Sequence, residues 1–328
     1  MKRRKLEHNN NSENQDRLSD LSDCVLLHIL SSLNTKHAVQ TCILSTRWKN
    51  LWKRLPSLAL RSSHFRHVKG FTKFVSRVLS LRNDSTSLYT VDFCRTGFVE
   101  PYLLKKIVKY AVSHNVQQLD ISIAGNLKYF PPSFFSCRTL TSLSLNLSNG
   151  RRTYGRKLFP NSLNFPTLLS LSLESFVLCV GNDGRVEPFS ALKSLKCLIV
   201  DKCEVWDARN LCISITTLVK LTILMHHYDP EKSFGIELSA PSLCSFDFRG
   251  IPVQKLCGSK SNISSIKHVK INVDMAPRSG DTHLVLLDWL VELVNIESLT
   301  VSSSTLQVLY KMFWFDKILA VSFFKKLL

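Results

Sequence analysis

Leu140-Thr141-Ser142-Leu143-Ser144-Leu145-Asn146, Leu168-Leu169-Ser170-Leu171-Ser172-Leu173-Glu174 and Leu195-Lys196-Cys197-Leu198-Ile199-Val200-Asp201 are three copies of one seven-residue phrase. Each opens on an apolar residue, passes two variable positions, and then alternates apolar with polar or small residues. Alternation of period two is the mark of a strand with one buried face. The phrase returns as Leu218-x-x-Leu221-x-Ile223, Leu243-x-x-Phe246-x-Phe248, Ile266-x-x-Val269-x-Ile271 and Ile296-x-x-Leu299-x-Val301. Weaker copies stand earlier, at Leu88-x-x-Val91-x-Phe93 and Val116-x-x-Leu119-x-Ile121.

Anchored on Val91, Leu119, Leu143, Leu171, Leu198, Leu221, Phe246, Val269 and Leu299, the copies lie 23 to 30 residues apart. That is the spacing of leucine-rich repeats, in which one strand and one return segment make a unit. A single unit cannot bury its leucine face, whereas stacked units share a continuous core and a parallel sheet. The spacing therefore predicts about nine degenerate units over 85–309. The Asn expected at the ladder position is mostly missing, and Cys203 is its clearest substitute. Residues between the strand leucines point to the opposite, concave face. Of these, Asp120, Asn146, Glu174, Asp201, Asp247, Arg249 and Lys270 are the candidates for contact with a protein target. Their mixed signs do not make a phosphate-binding surface.

The chain ahead of the repeats has a different composition. Residues 1–15 are polar and read as a disordered basic tail, in which Lys2-Arg3-Arg4-Lys5 is a candidate nuclear localisation signal. From Asp16 to Leu55 the pattern is helical. Asp23 is a candidate N-cap. After it Leu26, Leu27, Ile29, Leu30 and Leu33 spread apolar surface wider than one stripe, as in a helix that touches its own domain and a partner. Asn34-Thr35 breaks the run. Val39, Cys42 and Ile43 mark a second helix; Trp48, Leu51 and Trp52 mark a third, which Pro56 ends. Three helices in some forty residues make a small core, and docking on a partner would supply what is missing.

The runs Asp16-Arg17-Leu18-Ser19-Asp20-Leu21-Ser22-Asp23, Ile29-Leu30-Ser31-Ser32-Leu33 and Leu44-Ser45-Thr46-Arg47-Trp48-Lys49-Asn50-Leu51-Trp52 resemble the F-box of plant F-box/leucine-rich-repeat proteins. Ser22 stands where that family usually has proline, which loosens the chain before the first helix. The resemblance implies an α/β fold: a three-helix F-box at 16–60, an amphipathic connecting helix at 61–84, then a curved repeat solenoid with a parallel sheet on its concave face. It also implies a non-catalytic, substrate-recognition subunit of a Skp-cullin-F-box ubiquitin ligase. Leu18, Leu21, Ser22, Leu26, Ile29, Leu30 and Leu33 would then meet a Skp-type adaptor and, through it, a cullin scaffold. Trp48, Leu51 and Trp52 would hold the helices together. Plant relatives often carry a further C-terminal domain. Ser302 to Leu309 is similar to its lead-in, and 310–328 is expected to be divergent or truncated.

The net charge is +18, and between Cys24 and Asn83 there are eleven Lys and Arg and no Asp or Glu. Such a block could face nucleic acid, and a nucleic-acid-binding protein using residues 36–82 is the rival reading. The basic side of the 61–84 helix (Arg66, Lys69, Lys73, Arg77) reads first as a solvated face, so nucleic acid is not the expected partner. Ten cysteines without a C-x-x-C pair fit core packing in a reducing compartment, nucleus or cytoplasm. No run of eighteen apolar residues predicts a membrane span. The sequence has no phosphate-loop, dinucleotide, nucleophile-elbow or H-E-x-x-H motif, and neither a cofactor nor a metal is expected. His226-His227 reads as a loop pair, with no Cys or carboxylate at ligand spacing.

Overall fold

The structure, a computed structural model, describes residues 18, 20–82, 86–147, 158–160, 163–181, 184–225, 234–253, 256–258, 263–274, 282–293 and 295–315. The basic tail, His226-His227 and the chain after 315 lie outside the described residues.

All nine anchor residues fall in strands of one parallel sheet. Its strands are β2 (Thr90–Phe98), β3 (Gln118–Ala124), β4 (Ser142–Asn146), β5 (Ser170–Glu174), β7 (Cys197–Asp201), β10 (Lys220–Leu224), β12 (Ser245–Gly250), β14 (His268–Val273) and β15 (Ser298–Val301), in that order. A tenth strand, β1 (Ser57–Arg61), pairs with β2 at the edge, Leu58 beside Val91 and Leu60 beside Phe93. Sequence reading had no strand before Leu88. The alternation Leu58-Ala59-Leu60 is short, and follows directly on a helical stretch.

Because neighbours in sequence are neighbours in the sheet, equivalent positions stack. Leu119, Leu143, Leu171, Leu198, Leu221, Phe246 and Val269 form one buried file, and Ile121, Leu145, Leu173, Val200, Ile223, Phe248 and Ile271 a second. A parallel pair needs a crossover connection. At the ends of the sheet the crossovers are helical: α3 (Val68–Leu81) before β2, α4 (Pro101–Ser113) before β3, and α5 (Thr282–Glu292) before β15. After β3 the return is two 3-10 turns, Leu127–Tyr129 and Pro132–Ser136, and from β5 onward short strands appear: β6 (Val177–Cys179) with β8 (Glu204–Trp206), and β9 (Asn210–Ile213) with β11 (Gly235–Leu238) and β13 (Cys257–Gly258). One buried cluster runs through the whole, from Leu26 to Leu309.

Two devices hold the turns in register. Cys203 is buried, and its one thiol proton is shared between the Asp201 carbonyl of its own unit at 3.4 Å and the Leu173 carbonyl of the preceding unit at 3.7 Å. The second recurs three residues ahead of a strand. There the hydroxyls of Thr139, Thr167, Ser194, Thr217 and Ser265 donate to turn carbonyls one unit earlier, at 2.7 to 2.9 Å. Asn295 Nδ2 does the same to the Ser264 carbonyl at 2.7 Å. Each such bond contributes about 0.5–1.5 kcal/mol net.

The N-terminal helical unit joins this core directly. α1 (Asp23–Ser31) and α2 (Thr35–Gln40) are followed by 3-10 turns at Thr41–Ile43 and Trp48–Arg54. Asn34 caps α2, its side chain accepting from the His37 amide. Asp23 is not the N-cap expected of it: α1 starts at Asp23, Ser22 occupies the cap, and its hydroxyl makes no capping bond. Asp23 accepts instead from Arg47 at 3.0 Å and Arg54 at 2.9 Å, which tie the start of the unit to its end. Those two guanidiniums hold its carboxyl below the usual range. Arg82, at the end of α3, is buried and donates to the carbonyls of Trp52 (3.4 Å) and Leu55 (2.6 Å) and to the Tyr110 hydroxyl (3.3 Å). One side chain thereby fastens the helical unit, α3 and α4 to one another.

Candidate functional site

Two surfaces carry the residues singled out above. The first is the N-terminal helical unit. On α1 the apolar residues divide into two stripes, each at i, i+4 spacing. Leu26 and Leu30 have no accessible surface and pack into the chain's own core, beside buried Trp48, Leu51 and Trp52. Both were expected on the adaptor face, and in the free chain neither reaches the surface. Val25, Ile29 and Leu33 form the other stripe and are exposed, as is Leu18. Leu21 is half-buried against the core and Ser22 is exposed. Two residues absent from the expected set are the most exposed apolar side chains of the unit, Ile43 at 84% and Leu44 at 61%. Ile43 was read as one of the apolar marks of a second helix, but α2 ends at Gln40 and the tight turn after it swings Ile43 and Leu44 outward. Scattered exposed apolar residues are ordinary, whereas an exposed stripe and an exposed pair on so small a unit stand out.

The second surface is the polar face of the sheet. Strand register sets its residues in files. One file runs Asp92, Asp120, Ser144, Ser172, Ile199, Thr222, Asp247, Lys270; the next runs Arg61, Cys94, Ser122, Asn146, Glu174, Asp201, Leu224, Arg249. All seven candidate target-contact residues therefore lie on one face. They are knitted together across strands: Arg61 pairs with Asp92 at 2.5 Å, Asn146 donates to Glu174 at 2.5 Å, Lys202 pairs with Glu174 at 2.7 Å, and Lys270 approaches Asp247 at 3.6 Å. The Asp120 carboxyl is pushed above its ordinary value, first by loss of water on the sheet and then by Asp92 across the strand pair; Ser144 and Arg61 oppose the shift. Lys202, joined to Glu174, holds its proton more firmly than a free lysine. The result is a charged surface with little net sign.

Among the described residues no group of His, Cys, Asp and Glu could hold a metal ion, and no helix is long and apolar enough to cross a membrane.

Comparison with known proteins gives these surfaces a context. The F-box domain family matches residues 18–60, which cover the helical unit and β1. The chain is 27% identical over 320 residues to F-box/LRR-repeat protein 13 of Arabidopsis thaliana, covering 91% of this chain and 67% of that protein. It is 30% identical over 233 residues to the putative F-box/FBD/LRR-repeat protein At4g13965 of the same plant, covering 70% and 52%. Over most of its length the chain is similar to plant F-box/leucine-rich-repeat proteins. A third relative, F-box/LRR-repeat protein At4g14096, is 27% identical over 310 residues, 90% of this chain and 64% of that protein. The chain thus spans about half to two thirds of the length of these curated relatives. The F-box match ends inside the sheet, at the last residues of β1, and one continuous core joins the helical unit to the sheet.

Proposed function

We propose that the chain is the substrate-recognition subunit of a Skp-cullin-F-box ubiquitin ligase, contributing no catalytic group of its own. The F-box at 16–60 would bind the Skp-type adaptor, and the adaptor a cullin scaffold. Residues 61–84 would link it to a leucine-rich repeat solenoid at 85–309, with β1 added at the sheet edge and the polar face of the sheet as its concave surface. The observation that carries the reading is the exposed apolar set Val25, Ile29, Leu33, Ile43 and Leu44, within a segment that the F-box family matches. Leu18, Leu21 and Ser22 border that set and complete the adaptor face. Asp120, Asn146, Glu174, Asp201, Asp247, Arg249 and Lys270 would hold a protein target. Acceleration would come from proximity, the target being held at high effective concentration beside a ubiquitin-loaded partner.

The test is capture of a purified Skp-type adaptor by the full chain. Burying an apolar side chain of this size is worth about 1.5–3 kcal/mol, and an aspartate in its place adds a desolvated charge. Ile29→Asp, Ile43→Asp and Leu44→Asp should therefore each weaken capture at least tenfold, while Glu174→Lys and Asp201→Lys on the sheet leave it unchanged. Undiminished capture by the folded Ile29→Asp/Ile43→Asp double variant would overturn the assignment.

A further inference from the structure

We infer that α3 and α4 together form a docking face for the sugar-phosphate backbone of nucleic acid, separate from the adaptor and target surfaces and independent of the ligase reading. The sequence shows a basic side on one helix. The fold sets a second basic helix beside it. Lys106 of α4 donates to the Ser76 carbonyl of α3 at 3.3 Å, and Arg82 at the end of α3 reaches the Tyr110 hydroxyl of α4 at 3.3 Å, so the two lie side by side. Phe71, Val75, Val78 and Leu79 of α3 and Leu103, Leu104, Ile107, Val108 and Ala111 of α4 turn into the core. What remains outside is Lys69, Lys73 and Arg77 of α3, Arg66 just ahead of that helix, and Lys105, Lys106 and Lys109 of α4, all exposed.

Neither helix carries a carboxylate to offset them. The sequence has no Asp or Glu between 62 and 82 or between 101 and 119, and Glu100, at the start of α4, is already joined to Arg95. Seven cations within about two Debye lengths repel one another unless anions from outside collect there.

The layout distinguishes among polyanions. On α3, Lys69, Lys73 and Arg77 repeat every four residues, about 6 Å apart along the axis. A second file on α4 lies about 8–10 Å to the side. Two files of charge suit the phosphates of a nucleic acid better than the single line of carboxylates on an extended peptide. A specific protein partner also needs an apolar anchor at the centre of its interface. Here Gly70 and Ser80 are the other exposed residues of α3's outer side, and the exposed Val68, Leu81 and Tyr102 stand at the helix ends. Insertion into a lipid surface requires an apolar helix side. Both such sides are spent on the core.

The experiment measures fluorescence anisotropy of the full chain with a 20-base-pair DNA duplex and with a 20-nucleotide single-stranded RNA, from 50 to 300 mM salt. Polyglutamate and phosphatidylserine vesicles serve as competitors. With seven phosphate contacts the log–log salt slope on duplex should be about −6, a loss of roughly a thousandfold or more between 50 and 200 mM. Lys69→Ala/Lys73→Ala/Arg77→Ala should flatten that slope by about 2.7 and weaken binding at least tenfold, with the fold and adaptor capture intact. Lys193→Ala/Lys196→Ala/Lys220→Ala, at the rim of the sheet, should do neither. Binding to either nucleic acid with this pattern supports the inference, and the two probes tell which backbone is preferred. Failure to bind at 50 mM, a slope unchanged in the helix variant, an equal loss in the rim variant, or displacement by polyglutamate or vesicles at equal charge overturns it.

Discussion

Arg82 is the side chain on which the junction between the helical unit and the sheet depends, and its removal has a cost that can be worked out. The Leu55 carbonyl lies in the core and accepts from Arg82 Nη2 at 2.6 Å. The Trp52 carbonyl, 3.4 Å from Nη1, also accepts from the Leu55 amide and so retains a partner. Arg82→Ala therefore strands one buried carbonyl, at about 1–3 kcal/mol. It also deletes an apolar stem, at about 0.8 kcal/mol for each buried methylene. Against this stands the relief of a desolvated cation, since burial alone lowers the Arg82 pKa and the Tyr110 hydroxyl only partly offsets it. The net loss should be about 2–4 kcal/mol for Arg82→Ala and about 1–2 kcal/mol for Arg82→Met, which keeps most of the stem. Against a total of roughly 5–15 kcal/mol either is large. Urea unfolding of the full chain, followed by tryptophan fluorescence, measures both. An Arg82→Ala variant within about 0.5 kcal/mol of the parent would show that the junction does not rest on this residue, and the argument for one continuous core would lose its main support.

Three further outcomes follow from side-chain placement. Leu30→Ala should cost about 2–5 kcal/mol of stability in thermal or urea unfolding, while Ile29→Ala, one residue away, should stay within about 0.5 kcal/mol and weaken adaptor capture instead. Burial pushes the Cys203 thiol up to about 12, so at pH 8 it should resist iodoacetamide in the folded chain while exposed Cys24 is modified readily, as peptide mass spectrometry would show. Ser22 has φ −63° and ψ 155°, a conformation proline adopts without strain, and its hydroxyl makes no capping bond. Ser22→Pro should raise stability and adaptor affinity by about 0.4–1 kcal/mol, and a weaker complex in calorimetry would give Ser22 a contact role of its own.

The repeats were legible because stacking demands the same buried positions in every unit, and each of the nine anchor residues lies in a strand. Other features were written in the sequence but in a form that periodicity does not weigh. The hydroxyl three residues ahead of a strand recurs as Thr139, Thr167, Ser194, Thr217 and Ser265, but a serine or threonine in a turn has many local uses. Only the stacked structure shows that these reach back one unit. β1 was not legible as a strand, although Leu55-x-x-Leu58-x-Leu60 carries the same phrase, because it follows directly on the helical run. On α1 the sequence showed apolar residues all round, and could not say which stripe faces inward. Burial settles that Leu26 and Leu30 do. The pairing of α3 with α4 was not legible in the sequence, since the two basic helices are separated along the chain by β2 and come side by side only in the fold.

The proposal that the F-box face takes up the adaptor is tested most directly by hydrogen-deuterium exchange of the full chain, with and without a purified Skp-type adaptor. The predicted result is slower exchange at the amides of 21–33 and 41–45, around Val25, Ile29, Leu33, Ile43 and Leu44, with the strands of the ten-stranded sheet unchanged. Complex formation that leaves those two segments unprotected, or that protects only the sheet face or α3 and α4, would contradict it.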